Sequence, residues 1–564
     1  MGSTMDLERP PPGGAARQLR TPGLSLDLMP PEIIALTLDF LIPRPPEIGE
    51  TRPVAYHQLM ADEPWFDFTR CRRGLHSVCR VSRRLDALAR PLLYRVVALW
   101  DPTSMILFLR TLCDKPDYSV WTRYVSCHVT LTSLSVIRDF RDLLPALLPS
   151  FRPSFGPGVL ITAAGHLVQS LAHGLPLIIA SGVHGTGPFA SLPQAILRLI
   201  LMLLTKAETV LLQVPITDDE PEYDVLCGSF ESMANMFHDD PYGAPFQNIH
   251  TLLLQGDPEL LAQIEEDECE CEVPEVWGAQ PRRYAALFSS FPKLTTLEVS
   301  SDDGVWSTAL DEHPHTMFLP DGSLPPPFMP NIRHIYLHNS VAYPGDLHHL
   351  LLNAPRLETL YMAPRGDASL HEELDDNSTN AHPEALDIAL ADHAKHLRNL
   401  DVSWEDIKGF ATLVGPEGRL TALAGMESLQ TLCVQMALLY GYPAAVLETP
   451  LADLLPPNLV ELALEDWWWP NVVLLDEMPE WTAEQKVRHY QAQHSYRVSA
   501  LRTLMEFARD VRTRLCHLKK VVLLCRIPWT WVLEGAVPLE FHFENVKAMF
   551  LSQGVQFSVK SDEV

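Results

Sequence analysis

Eight times along the chain one six-residue pattern returns: an apolar anchor, two variable residues, a second apolar residue, one variable residue, and a third apolar residue. It spans Ile249 to Leu254, Leu294 to Val299, Ile332 to Leu337, Leu357 to Met362, Leu397 to Val402, Leu429 to Val434, Leu459 to Leu464 and Leu518 to Leu523. Side chains on a strand alternate between faces, so the fourth and sixth positions share one face. The first anchor turns inward just before the strand begins. Pro292, Pro330, Pro355 and Pro457 each stand two residues ahead of an anchor. A proline there cannot continue a preceding helix, and it biases its own predecessor toward extended geometry. Helical patterns fill the spaces between, at Arg282 to Phe291, Gly345 to Ala354 and Pro383 to His396.

The pattern resembles the L-x-x-L-x-L core of a leucine-rich repeat, a family whose units run about 20–29 residues. Here the anchors are 45, 38, 25, 40, 32, 30 and 59 residues apart. The resemblance therefore implies an irregular leucine-rich-repeat-like α/β solenoid with long insertions, over residues 96–560. An ordinary α/β domain whose strands share the motif is the alternative.

Outside these units the organisation is coarser. Val78, Val81, Leu85, Leu88 and Leu92 keep a 3–4 spacing, which predicts one helix over Leu75 to Arg90, closed by Pro91. Leu92 to Leu99 turns extended. Val125, Cys127, Val129 and Leu131 alternate as a strand does. Residues 151–191 form a Gly-rich insertion that fits no repeat. Ser499 to Leu515 reads as a helix feeding the strand at Leu518. Asn545 to Gln553 reads as a last helix, with Gly554 placed to cap it and Val555 to Val559 as a final strand. Acidic runs at Asp218 to Asp224, Glu265 to Glu275 and His371 to Asp376 read as solvated loops.

The stretch from Leu26 to Phe40 has a different logic. Two prolines, Pro30 and Pro31, head a short apolar helix, where a missing N–H costs nothing. Glu32 faces the positive end of the helix dipole. Ile33, Ile34, Leu36, Leu38, Phe40 and Leu41 are too many apolar groups for one stripe, so the helix needs cover on more than one side.

Leu28 to Ile34 resembles the opening of an F-box, whose first helix reads L-P-x-E-[IL]-[IL]. Leu75 to Tyr94 is similar to the second half of that motif as fungal members carry it. Met29 replaces the usual leucine, a volume-conserving change. Pro43 to Gly74 inserts a polar, Pro-rich and Arg-rich loop where the family has a short link. The resemblance implies a small helical F-box-like module over 25–95, behind a disordered tail at 1–24, docking onto a Skp1-like adaptor and thence a cullin. The contacts it implies are Met29, Pro30, Pro31, Ile33, Ile34, Leu38, Leu75, Val78, Cys79 and Leu85. Such a module with a degenerate repeat array behind it is a common F-box arrangement.

Composition narrows the partners. Among 564 residues, 47% are hydrophobic and 20% charged, an ordinary globular balance. A net charge of −28 argues against a nucleic-acid partner, which needs a concentrated basic face. The most apolar window, Ala195 to Leu204, is too short for a membrane span and holds Arg198. The opening residues lack a basic-then-apolar leader, and ten cysteines are scattered without paired spacing. Reduced thiols and a location in cytoplasm or nucleus are expected.

Signs of bond chemistry are few. Cys269 and Cys271 have no second ligand pair at zinc spacing. Ser181 to Gly187 follows an apolar run, yet it lacks the lysine and glycine spacing of a phosphate loop. No H-E-x-x-H or G-x-S-x-G occurs. No cofactor, metal or catalytic residue is expected. The leading reading is a non-enzymatic substrate-recognition subunit of an SCF-type ubiquitin ligase, which raises the target's effective concentration near a catalytic partner. A scaffold outside the ubiquitin system, and an enzyme built on the 151–191 insertion, are the alternatives. For the first reading, an unknown protein target would meet exposed strand positions: Glu298, His334, Tyr336, His338, Tyr361, Asp401, Glu461 and Glu465, with Trp404 and Trp467 to Trp469 just past two strands. The acidic and aromatic mixture suits a basic target segment.

Overall fold

The computed structural model describes residues 29–42, 63–99, 102–128, 196–213 apart from 198 and 202, 247–255, 288, 291–300, 327–340, 344–364, 383–402, 419–440, 449–465, 501–525 and 539–561. These residues form two compact units, 29–42 with 66–93, and 63–65 with 94–561.

The first unit is helical. α1 spans Pro31–Asp39, and the Pro30 carbonyl accepts the N–H groups of Ile33 and Ile34 at 3.1 and 3.2 Å. α2 spans Glu63–Cys79 and α3 spans Arg83–Leu93. Two expectations are corrected here. The supposed loop up to Gly74 is helical from Glu63, since Pro64 is tolerated in a first turn and Gly74 rides inside the helix. A Cβ on Gly74 would meet the Leu41 methyls at 3.7 Å, ordinary contact. The single helix predicted over 75–90 is two, because Ser82 starts a new one: its Oγ accepts the Leu85 N–H at 3.2 Å, an N-cap bond. Pro91 falls in the last turn, and α3 runs on to Leu93. Ile34, Leu38, Leu75, Leu85 and Ala89 make the core, with Met29, Leu41, Val78, Cys79, Leu88 and Leu92 packed against it. Arg84 Nη2 ties α3 to the head of α1 by donating to the Met29 carbonyl at 2.7 Å.

The second unit is α/β. Its twelve strands are β1 Val96–Leu99, β2 Tyr124–His128, β3 Thr209–Gln213, β4 Thr251–Gln255, β5 Thr296–Ser300, β6 His334–Ser340, β7 Thr359–Pro364, β8 Asn399–Val402, β9 Thr431–Gln435, β10 Glu461–Glu465, β11 Lys520–Cys525 and β12 Gln556–Ser561. All are parallel, and they pair in chain order. The eight signatures are β4 to β11. A parallel pair needs a crossover of about a dozen residues or more, so even the shortest anchor spacing leaves room for one. β3 has the same format with a small anchor: Ala207, Val210, Leu212.

Seven of the eight anchors, all but Ile249, close a turn among the described residues. The N–H groups of Leu294, Leu357, Leu397 and Leu518 donate to the carbonyls of Phe291, Ala354, Ala394 and Leu515 at 3.0, 3.0, 3.0 and 3.1 Å. Pro292 and Pro355 thus take the second position of a four-residue turn, where a fixed φ is favourable. The residue after each anchor then joins the ladder: Arg333 N–H bonds the Thr295 carbonyl at 2.8 Å and Glu358 N–H the Arg333 carbonyl at 2.7 Å.

Two buried rows run across the sheet. One passes through Leu252, Leu297, Ile335, Leu360, Leu400, Leu432 and Leu462, the other through Leu254, Val299, Leu337, Met362, Val402, Val434 and Leu464. They share one core with Met105, Leu109 and Leu112 of α4 (Pro102–Asp114), Leu347 and Leu350 of α5 (Pro344–Asn353), Leu386 and Leu390 of α6 (Pro383–His393), and Phe543 and Phe550 of α7 (Leu539–Ser552). α7 ends in a left-handed Gly554 (φ +70°). Val555 N–H reaches the Phe550 carbonyl at 3.0 Å and Gly554 N–H the Leu551 carbonyl at 2.9 Å, the two bonds of a Schellman cap. None of the described helices is long and apolar enough to cross a membrane.

Candidate functional site

The face opposite the core changes character in mid-sheet. Following one row strand by strand, β1 to β4 contribute Ala98, Ser126, Leu211 and Leu253. β5 to β8 contribute Glu298, Tyr336, Tyr361 and Asp401. β9 to β12 return to Cys433, Ala463, Val522 and Ser558. Carboxylates and phenols are therefore gathered on four consecutive strands, bounded on each side by small or apolar residues. Register puts neighbours about 4.8 Å apart along the row.

Adjacent rows complete the patch. Two residues further along β5 and β6 stand Ser300 and His338, paired in register. Two residues earlier, Thr359 Oγ1 accepts from Asn399 Nδ2 at 3.0 Å and lies 3.1 Å from His334 Nδ1. The Tyr361 ring lies 5.5 Å from that of His338 and 6.3 Å from that of Tyr336, both tilted.

Burial sets the electrostatics. His338 Nε2 is 3.4 Å from Glu298 Oε1, with side chains only 5% and 13% exposed. Burial pushes the Glu298 carboxyl up to about 7 and the His338 imidazole down to about 4. The contact is thus no ion pair at neutral pH, for His338 stays uncharged. Burial, and then the Glu298 charge, raise the Tyr336 phenol. His334 is lowered by burial and by Arg333, against an opposing pull from Glu358. Among the described residues, Glu298 Oε2, Ser300 Oγ and His338 Nε2 find no hydrogen-bond partner. An unsatisfied buried polar atom costs about 1–3 kcal/mol, so this patch holds unused bonding capacity.

Of the expected target contacts, His334, Tyr336, Tyr361, Asp401 and Glu461 are half-buried on this face. Two need correction: Glu465 is 1% exposed and His338 is 4% exposed, so neither is a surface position. Period-two alternation assigns a face and says nothing of what covers it. Glu461 lies apart on β10, paired with Lys520 at 3.0 Å. Trp404 and Trp467 to Trp469 lie outside the described residues, as do Cys269, Cys271, Ser181 to Gly187 and the 151–191 insertion. Sequence reasoning missed Ser300, although it directly follows the last apolar residue of a signature.

A second surface belongs to the helical unit. α1 buries Ile34 and Leu38 completely or nearly so, and leaves Ile33 47%, Leu36 63% and Phe40 80% exposed. Those three are spaced i, i+3 and i+7, one stripe of a helix. Pro30 and Pro31 are exposed with them, while Met29, Val78 and Cys79 are partly buried. The expected contacts Ile34, Leu38, Leu75 and Leu85 are instead internal core, because three helices of this length need those side chains to close their own interior. Leu36 and Phe40 were the missed members of the outward stripe, and their spacing from Ile33 was the available signal. Arg70, Arg72, Arg73, Arg80, Arg83 and Arg84 are exposed on the same unit.

No group of three or more His, Cys, Asp or Glu side chains able to hold a metal occurs among the described residues. No protein-family model matches the chain, and no curated protein matches it.

Proposed function

We propose that this chain is an F-box-type substrate-recognition subunit of a cullin-based ubiquitin ligase, with α1 to α3 docking a Skp1-like adaptor. The stacked strands then act as a leucine-rich-repeat-like solenoid that presents a protein target. One observation carries the reading: the Ile33, Leu36 and Phe40 stripe, apolar and exposed on a helix whose other side is already covered. Burial against a partner is favourable by about 1.5–3 kcal/mol for each such side chain. A few anchors of this kind commonly dominate an interface. The first piece of F-box resemblance, Leu28 to Ile34, includes Ile33 of that stripe, and the second follows the stripe in sequence.

Co-expression with a Skp1-like adaptor tests this. The parent chain is expected to co-purify in stoichiometric amount. A variant carrying Ile33→Asp and Leu36→Asp should stay folded and lose the adaptor. Retention of the adaptor by that variant, or failure of the parent to bind it, overturns the reading in favour of a scaffold outside the ubiquitin system.

A further inference from the structure

We propose that the turns leading into β3 to β8 form a basic rim that docks an acidic polypeptide segment of a partner protein. The described residues of these turns are 205–208, 247–250, 291–295, 329–333, 354–358 and 394–398. They carry six basic side chains, Lys206, Lys293, Arg333, Arg356, Lys395 and Arg398, and two acidic ones, Glu208 and Glu358. The chain as a whole has 71 acidic residues against 43 basic ones. One edge of the sheet thus reverses the charge balance of the molecule.

The turns also hold these charges in order. In the row just before each anchor stand Lys206, Asn248, Lys293, Asn331, Arg356 and His396. Each asparagine ties its turn to the one before: Asn248 Nδ2 donates to the Thr205 carbonyl at 2.7 Å, and Asn331 Nδ2 to the Pro292 carbonyl at 3.3 Å. Their Oδ1 atoms accept from the cation of the following turn, Lys293 Nζ at 3.5 Å and Arg356 Nη1 at 3.3 Å. Cations of this row therefore recur at β3, β5 and β7, about 9.6 Å apart. Both acids of the rim are already engaged. Glu208 pairs with Arg123 at 3.1 Å, and Glu358 with Arg333 at 2.9 Å and Arg398 at 3.9 Å. Among the described residues, Lys206, Lys293, Arg356 and Lys395 are exposed and form no ion pair.

Charge decides the class of partner. Four cations left unneutralised along one edge attract a negative surface and orient it before contact. A long polynucleotide would carry its phosphates past the rim and over the rest of a molecule of net charge −28, which repels them. An acidic segment of a protein confines its charge to the rim. From β3 to β8 the rim is about 24 Å long, a span that about seven extended residues cover.

This inference goes beyond adaptor docking and does not depend on it, so the test uses the purified full chain without adaptor. The probe is a blocked nonapeptide of alternating Glu and Ser carrying a neutral dye, compared with its Gln counterpart by fluorescence anisotropy. At about 0.05 M salt the Glu peptide is expected to bind about tenfold more tightly than the Gln peptide, the scale of three exposed charge pairs. At about 0.3 M salt that preference should shrink severalfold as the screening length shortens. Lys206→Gln, Lys293→Gln and Arg356→Gln together should remove the preference. Lys206→Arg, Lys293→Arg and Arg356→Lys together, which keep every charge, should preserve it. Arg502, Arg509 and Lys547 are exposed outside the rim. Replacing those three by Gln makes the same change in net charge and should alter binding by less than about twofold. Equal binding of the two peptides by the parent chain overturns the proposal, as does the absence of any Glu-peptide binding. So do a preference that survives the rim variant, an equal loss in the variant outside the rim, and binding indifferent to salt. Tighter binding of a single-stranded oligonucleotide of matched charge overturns the polypeptide partner in favour of a nucleic acid.

Discussion

His338 and Glu298 face one another across β5 and β6, Nε2 to Oε1 at 3.4 Å, in surroundings that keep both from ionising at their ordinary pH values. A base and an acid are thereby held side by side while water is kept from solvating either charge. The pair responds to pH in two opposite directions.

Glu298, with a folded-state pKa raised from 4.5 to about 7, stabilises the fold fully below pH 4.5 and loses that contribution as pH climbs through 7. His338, lowered from 6.5 to about 4, contributes above pH 6.5 and loses its share as pH falls through 4. Glu298→Gln should therefore gain stability relative to the parent as pH rises between these values, and His338→Gln should gain as pH falls. Urea melts across that range read both differences. A pH-independent offset for either variant would show that its charge is not the source.

The two sides of α1 should separate cleanly in stability. Ile34→Ala removes a fully buried side chain and is expected to destabilise the helical unit by about 2–5 kcal/mol. Ile33→Ala, on the exposed stripe, should change stability by no more than about 0.5 kcal/mol. Amide hydrogen exchange of α1 in each variant gives the comparison, and equal losses would contradict the assignment of faces.

In the sheet, Leu360→Ala should cost about 2–5 kcal/mol, since Leu360 is buried in the row shared by Ile335 and Leu400. Denaturant unfolding measures it. A loss below about 1 kcal/mol would mean that the row is not the continuous core described above.

Gly554→Ala is expected to destabilise the α7 cap by about 1–2 kcal/mol, because φ is +70° there. The added Cβ would also stand 3.1 Å from Arg512 Nη2, which donates to the Gly554 carbonyl at 3.1 Å. A lowered melting temperature checks this, and replacement by Asn, which tolerates the left-handed region better, should be milder.

Much of the sheet was legible because each strand must place a large apolar residue in two buried rows, and that requirement writes itself out as L-x-x-L-x-L. β3 escaped because its anchor, Ala207, is too small to stand out beside leucine. The cap at Gly554 was readable from one residue, since few others adopt its backbone geometry. The helical unit was harder. The break between α2 and α3 depends on a hydroxyl bond from Ser82, and apolar spacing continues unbroken across it. Which apolar residues of α1 face inward depends on the packing of α2 and α3, so composition alone could require two covered sides without saying which was which. At the patch, alternation located Glu298, Tyr336, Tyr361 and Asp401 on one face. The enclosure of His338 and Glu465 was invisible because burial comes from tertiary neighbours.

Because every strand bonds only to its sequence neighbours, the sheet works as a ruler whose divisions are strand widths. A connection may lengthen by tens of residues, as the 59-residue interval before Leu518 does, and no division moves. Glu298 and Asp401 stay three divisions apart, about 14 Å, whatever is inserted between the strands that carry them. Only gain or loss of a whole helix–strand unit between β5 and β8 would reset that distance, and it would do so in one step of about 4.8 Å.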